Sequence, residues 1–310
     1  MTEGTPPAEL LVDSALVLRV IENQAPAWSK YAIEPFETGW DNALFRLGDE
    51  HLVRMPRRQS ADEPLRHEQR ILPFLQPRLN VPIPTPVVIG KPDSHFPWHW
   101  SVIPYFAAST ANKSPLNRRG AIQWAEFMAD LHRPYLHGVD PVSPENPYRG
   151  VDINARRSSL DDRLNQLNRL DEPIPDPLLG TWLTALAQPP STLRVWIHGD
   201  PHVRNVLCRS GALAAVIDWG DITTGDPASD LGSFWMLIND TVVRNEAIQR
   251  YLTTTSFSLT TAESNALLLR ARGWAVFYGV VLLATGLVDH AEHAAMGRAT
   301  FQNLLEQGSG

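Results

Sequence analysis

His198-Gly199-Asp200-Pro201-His202-Val203-Arg204-Asn205 is the stretch on which the reading turns. It follows the apolar run Leu193-Arg194-Val195-Trp196-Ile197. After it come Val206-Leu207-Cys208, a turn at Arg209-Ser210-Gly211, and a second apolar run, Leu213 to Ile217, that ends on Asp218-Trp219-Gly220. Short apolar runs bounded by polar turns read as strands, so Asp200, Asn205 and Asp218 stand at strand ends, where loops carry function. Taken singly, Asp and Asn in loops are turn residues or caps. Taken together they offer oxygen donors, which suit magnesium and suit zinc poorly. Phosphoryl transfer asks for such a set: one carboxylate to orient and accept the proton of an attacking hydroxyl, and two oxygen ligands to hold magnesium on nucleotide phosphates. His198, Asp200 and His202 also form an HxDxH set, and with Asp218 they leave a metal-dependent hydrolase as an alternative.

Outward from this island the chain divides most simply near residue 107, into 1–106 and 107–310. In the first part, Ala43–Leu47 and His51–Met55 flank Gly48-Asp49-Glu50 as a hairpin, Asp62–Leu75 has helical apolar spacing, and Thr85–Ile89 and Trp100–Phe106 read as strands. That is a small sheet with one helix. The second part reads as mainly helical, over Ala121–Leu131, Ser158–Leu170, Pro177–Leu186, Ala228–Ile238, Glu246–Leu252, Thr261–Val288 with an interruption, and Ala291–Leu305. Leu136–Gly150, rich in Pro and Gly, reads as a loop.

Composition bounds the function classes. A net charge of -7 gives no broad positive field for nucleic acid or an anionic membrane. The lone Cys208 excludes an internal disulfide and a CxxC site, so a reducing, cytoplasmic setting fits. On its apolar strand it reads as a small buried hydrophobe. The start, MTEGTPPAEL, lacks the basic and apolar regions of a secretory signal. The longest apolar run, Trp274–Val288, is too short to cross a bilayer and reads as a buried helix.

The island, together with Ile217-Asp218-Trp219-Gly220 and Gly225-Asp226-Pro227-Ala228-Ser229-Asp230-Leu231, resembles the aminoglycoside phosphotransferase family. The resemblance extends through Gly39–Gly48, Leu52–Arg57 and His67-Glu68, and so covers most of the chain from about residue 35. It implies an α+β, two-lobed, protein-kinase-like fold, with a small N-terminal antiparallel sheet carrying one helix and a larger, mainly helical C-terminal lobe. It further implies Asp200 as catalytic base, Asn205 and Asp218 as magnesium ligands, and ATP or GTP as co-substrate. Thr38 and Gly39 fall in a phosphate-covering loop, Thr38–Asn42, that has only one glycine. Glu68 matches the helix glutamate that holds a phosphate-contacting lysine, but the matching strand position is Arg54. Arginine keeps the charge, yet is planar and longer, so Arg54 stands in for the lysine or marks a nucleotide-binding protein without transfer. Ile103-Pro104-Tyr105-Phe106 matches the segment that binds the purine edge, with Ile103 behind the base and the Pro104 C=O and Phe106 N–H as bonding groups. His198, Asp226 and Asp230 take structural roles on this reading, and Arg57 and Arg58 a solvated turn.

The acceptor implied is a hydroxyl of a small molecule. From residue 198 onward, 11 acidic residues face 7 arginines and no lysine, a net of -4 that favours a cationic acceptor such as an aminoglycoside. Phe234, Trp235, Trp274, Phe277 and Tyr278 would suit a larger apolar acceptor such as a macrolide if they line a pocket. A non-antibiotic metabolite is the alternative.

Overall fold

Alternation decides the first sheet. In β2 (Asn42–Leu47) the residues Ala43, Phe45 and Leu47 are buried while their neighbours are half-exposed, and β3 (His51–Pro56) buries five of its six residues against the same core. Gly48 turns the hairpin at φ +62°. These strands belong to a five-stranded antiparallel sheet in the order β1-β2-β3-β5-β4, with β1 at Ile33–Thr38, β4 at Val88–Gly90 and β5 at Trp100–Pro104. The computed structural model describes residues 7–306.

Sequence reasoning expects one helix beside this sheet, and the structure has two. α1 (Ser14–Gln24) begins at the cap Asp13, whose carboxylate accepts from the Leu16 N–H at 2.7 Å. Its buried Leu16, Val17, Val20 and Ile21 share a core with Phe45, Val53, Met55 and Trp100. α2 (Asp62–Leu75) has the bounds its periodicity predicts, and Gln69 Nε2 ties it to the Trp100 carbonyl at 2.8 Å. The strand expected over Thr85–Ile89 is shorter and later. Pro82, Pro84 and Pro86 have no N–H to give a ladder.

The chain forms two compact units. The first takes the residues through Arg78, Pro82–Ala107 and a late segment, Val216–Gly220; the second takes Leu79–Val81, Ala108–Ala215 and the chain from Asp221. Trp219, in the late segment, is wholly buried.

The second unit is helical around two small sheets. β6 (Ser109–Thr110), β8 (Val206–Arg209) and β9 (Ala212–Val216) form one, and β7 (Val195–Ile197) pairs antiparallel with β10 (Thr223–Gly225) in the other. Its helices are α3 (Arg118–Leu131), α4 (Arg157–Arg169), α5 (Asp176–Leu186), α6 (Ala228–Leu231), α7 (Ser233–Leu237), α8 (Thr241–Thr254), α9 (Thr261–Asp289) and α10 (Ala291–Leu305). The single helix expected over Ala228–Ile238 is thus two short ones.

The interruption expected in α9 is absent. The helix runs unbroken for 29 residues from a capping box between Thr260 and Glu263. Its Gly279 and Gly286 do not break it. A Cβ at either would strike Phe301 or the Ala294 backbone, so these glycines admit α10 at close range. α9 is long and apolar enough to span a membrane by length and composition, unlike the shorter run read from the sequence, but 72% of that stretch is buried in the fold.

Candidate active site

The loop after β7 is held from beneath. Asp230, fully buried, accepts from the His198 N–H at 2.7 Å and the Gly199 N–H at 2.9 Å, and lies 3.3 Å from His132 Nε2. His132 in turn meets the Tyr251 hydroxyl at 2.9 Å. Gly199 adopts φ +91°, and a Cβ there would lie 2.5 Å from the Asp221 carbonyl, so only glycine fits. The result presents Asp200 outward, its side chain 31% exposed, while Asn205 Nδ2 donates to the Asp200 carbonyl at 2.9 Å. Asp200 and Asn205 are therefore brought together. His198 is buried with Nδ1 accepting from the Asp200 N–H at 3.2 Å, which spends a ring nitrogen of the HxDxH alternative on the loop itself. Among the described residues no group of three or more His, Cys, Asp and Glu is arranged to hold a metal.

Sequence reasoning missed Arg149. Its Nη2 lies 3.3 Å from Asp200 Oδ1 and 3.0 Å from Asp221 Oδ2, to which Nε also donates at 3.0 Å. Its guanidinium sits 5.4 Å from the centre of the Tyr278 ring. Burial works against the charge of Arg149, but Asp200, Tyr278 and Asp221 hold it protonated. Burial alone would lift Asp200; His202 and Arg149 outweigh it and hold the carboxyl below its usual range. The only local signal for Arg149 is its neighbour Gly150, at φ +63°, which packs so tightly on Gly225 that a Cβ would lie 3.0 Å from that Cα.

Asp226 caps α6 through the Ala228 N–H at 3.0 Å and takes Arg270 Nε at 2.7 Å, a buried structural pair. The aromatics considered for an acceptor pocket are core instead: Phe234, Trp235, Trp274, Phe277 and Tyr278 are all buried. Cys208 is buried, and burial pushes its thiol up to about 11.

In the first unit the predicted residues Arg54, Glu68 and Asp218 meet. Arg54 Nη1 donates to Glu68 Oε2 at 2.5 Å and Nη2 to Asp218 Oδ1 at 3.4 Å. With its amide oxygen turned inward, Asn42 accepts from Nε and Nη2 at 3.3 and 3.1 Å. Burial opposes the charge of Arg54, and Glu68 and Asp218 more than restore it. Glu68 is pushed up to about 7 by burial, with Arg54 pulling it down and Asp218 adding to the rise. Its Oε1 has no hydrogen-bond partner. Asp218 holds φ +62°, a left-handed conformation uncommon outside glycine, with its side chain 59% exposed.

The Thr38–Asn42 loop is tied to the end of β3. The Gly39 N–H donates to the Asn42 carbonyl at 2.9 Å, Arg57 Nη1 to the Gly39 carbonyl at 2.8 Å, and Arg58 pairs with Asp41. Arg57 and Arg58 thus brace the loop rather than only facing water. Ile103 is buried at the end of β5, and the Tyr105 N–H donates to the Glu50 carbonyl at 2.7 Å. Strand alternation therefore turns the Pro104 C=O to the edge opposite β3, and Phe106 follows half-buried.

The oxygen donors of Asn205 and Asp218 are an amide and a carboxylate, hard ligands of the type magnesium takes. Residues 32–263 match the family described as phosphotransferase enzyme family. No curated protein sequence matches the chain. Among solved structures, the GDP complex of wild-type aminoglycoside 2'-phosphotransferase-IIIa is similar at a TM-score of 0.66 and 17% identity, over 96% of this chain and 100% of that one. Macrolide 2'-phosphotransferase type I is similar at 0.60 and 20%, over 94% and 98%. A macrolide 2'-phosphotransferase from Brachybacterium faecium is similar at 0.55 and 20%, over 90% and 93%. Likenesses at these identities carry the fold, which is protein-kinase-like, while the family match spans most of the chain: the protein belongs to the phosphotransferase enzyme family and is a small-molecule kinase.

Proposed function

We propose that the protein transfers the γ-phosphoryl group of ATP or GTP to a hydroxyl of a small molecule, with Asp200 as base and Asn205 and Asp218 as magnesium ligands. The observation that carries this reading is the clamped loop, in which buried Asp230 fixes the His198 and Gly199 amides and leaves the Asp200 carboxylate ionised and accessible. An ionised carboxylate accepts a hydrogen bond from the acceptor hydroxyl and takes its proton as the bond to phosphorus forms. Its lowered pKa suits orientation more than strong basicity, which is sufficient where the transition state is loose. Magnesium, when bound, neutralises charge on the nucleotide phosphates. Arg54, held by Glu68, supplies a fixed cation toward those phosphates in place of the lysine usual in the family. Thr38, Gly39, Ile103, Pro104 and Phe106 are assigned to the nucleotide.

Similar structures are named for aminoglycoside and macrolide phosphotransfer, and these acceptors are the first to test. A non-antibiotic metabolite is the second reading; Arg149 beside Asp200 is itself paired with Asp200 and Asp221 and does not decide between the acceptors. Nucleotide consumption with magnesium, ATP or GTP, and a panel of aminoglycosides, macrolides, sugars and hydroxy acids tests the proposal. Acceptor-dependent turnover should fall by about a hundredfold or more in Asp200→Ala, with nucleotide binding kept. Full turnover in the variant would remove Asp200 from the role of base, and binding without turnover under any acceptor would point to a pseudokinase.

A further inference from the structure

Among the described residues, two arginines of the second unit make no ion pair, although the charge of Asp162 acts on one of them, Arg163. Arg163 Nη1 donates to Ser159 Oγ at 2.6 Å and to the Ser159 carbonyl at 3.0 Å, and Arg156 Nη2 reaches the same Oγ at 3.4 Å. Arg156 lies over the rings of Phe277 and Tyr148, at 4.9 and 5.2 Å, and its Nε is buried without a hydrogen-bond partner. Among the described residues, no carboxylate lies within ion-pair distance of either guanidinium, although Arg149, whose charge acts on Arg156, is paired. Both arginines are half-buried, where a nearby anion lowers the cost of partial desolvation. Here two converge on one hydroxyl.

Their place in the fold gives the pair a direction. Arg156 rests on Phe277 and Arg149 on Tyr278, adjacent residues of α9 whose ring centres are 5.9 Å apart, and Arg149 is the residue that touches Asp200. A line of three guanidinia therefore leads away from the proposed base. Asp200 and Asp221 neutralise only the nearest. Burial and mutual repulsion lower the proton affinity of Arg156, with Arg149 and Arg163 both acting on it, and burial also lowers that of Arg163. An anion lying between them would offset that repulsion. The rings of Phe277 and Tyr148 lie beside the Arg156 guanidinium, and a guanidinium fork can meet a carboxylate or phosphate in bidentate fashion.

We propose that Arg156 and Arg163 form an anion subsite for the acceptor, which is a hydroxyl compound carrying a carboxylate or phosphate group. The proposal rests on the phosphotransferase reading for its placement of the acceptor, but the subsite itself is read by binding alone. It reverses the charge expected from the segment after residue 198, because all three arginines precede that segment.

Sulfate is the probe. The unfolding temperature of the wild type is followed against sodium sulfate, with sodium chloride at equal ionic strength as control and saturating MgADP present to occupy the nucleotide site. A saturable rise is expected. In the double variant Arg156→Gln, Arg163→Gln the sulfate affinity should fall at least about tenfold, as loss of charge-assisted hydrogen bonds requires. Arg163→Gln alone, which keeps Arg156 on its rings, covers the case in which the double variant does not fold. The pair Arg156→Lys, Arg163→Lys should retain part of the affinity. Equal sulfate response in wild type and Gln variants, or none in the wild type, overturns the subsite and leaves the arginines as packing.

Turnover forms a separate arm, with D-glucuronate against D-glucose and glycerate against glycerol. The anionic member should have the higher kcat/KM, and the preference should shrink at least about tenfold in the Gln variants through KM. Asp200-dependent turnover of a polyamine aminoglycoside with no sulfate response would keep the phosphotransferase reading and reject the subsite. A sulfate response with no Asp200-dependent turnover of any acceptor would do the reverse.

Discussion

Arg54 shows how one residue can be both expected and different. The resemblance places a lysine there, and the arginine that stands instead uses its fork on three partners, Glu68, Asp218 and Asn42. A lysine ammonium has no such planar fork. Removing the charge leaves Glu68 buried with neither oxygen partnered, so Arg54→Met should cost about 3–5 kcal/mol, read from urea unfolding. Adding Glu68→Gln should recover part of that loss, and a double variant no more stable than Arg54→Met would contradict the pairing. Gly199 makes the complementary point. Its position between His198 and Asp200 is visible in the sequence, yet the reason it must be glycine is the carbonyl of Asp221, which only the fold brings near.

At the scale of elements, the loop after β4 fastens α1 to the sheet edge. Asp93 accepts from Gln24 and Asn23 of α1 and from the His95 and Phe96 amides, and these bonds outweigh burial to lower its pKa from 3.8 to about 2. The unfolded chain then binds the proton first as pH falls. Stability from Asp93 is complete above about pH 4 and is lost as pH drops through about 2. Asp93→Asn should remove that acid-side slope and flatten the unfolding temperature between pH 4 and 2; an unchanged slope would place it elsewhere.

The same element shows how helical periodicity can be read or overlooked. Leu16, Val17, Val20 and Ile21 lie on one helical face, and the Asp13 cap precedes them. That signal was available in the sequence, whereas the continuity of α9 was not. Its glycines look like breaks until α10 is seen packed against them.

Chain order and unit membership part company at the scale of the whole molecule. The segment Val216–Gly220 starts on the last residue of β9, yet it belongs to the first unit, where the Val216 N–H donates to the Pro82 carbonyl at 3.1 Å and Trp219 Nε1 to the Val216 carbonyl at 3.0 Å. Asp218 is thereby set against Arg54 by packing. Trp219→Ala should create a cavity and cost about 3–5 kcal/mol, with hydrogen exchange rising first in β2 and β3. Unchanged exchange there would show that the segment contributes nothing to that unit.

The sequence by itself determined most of the strands and helices, which are local patterns written along one line, and the resemblance carried by His198, Asp200, Asn205 and Asp218 supplied the expected kind of fold and the residues proposed for the site. Partners distant in the chain were decided by tertiary structure alone. Arg149 lies in a stretch with no periodicity, Arg156 and Arg163 look like ordinary charges near the start of a polar helix, and the aromatics of the apolar run from Trp274 read as core, with a pocket wall as the lesser reading that only burial removes. Whether a charge is paired, and whether a ring is exposed, depends on what the fold sets against it; net charge counted along a segment is blind to that arrangement.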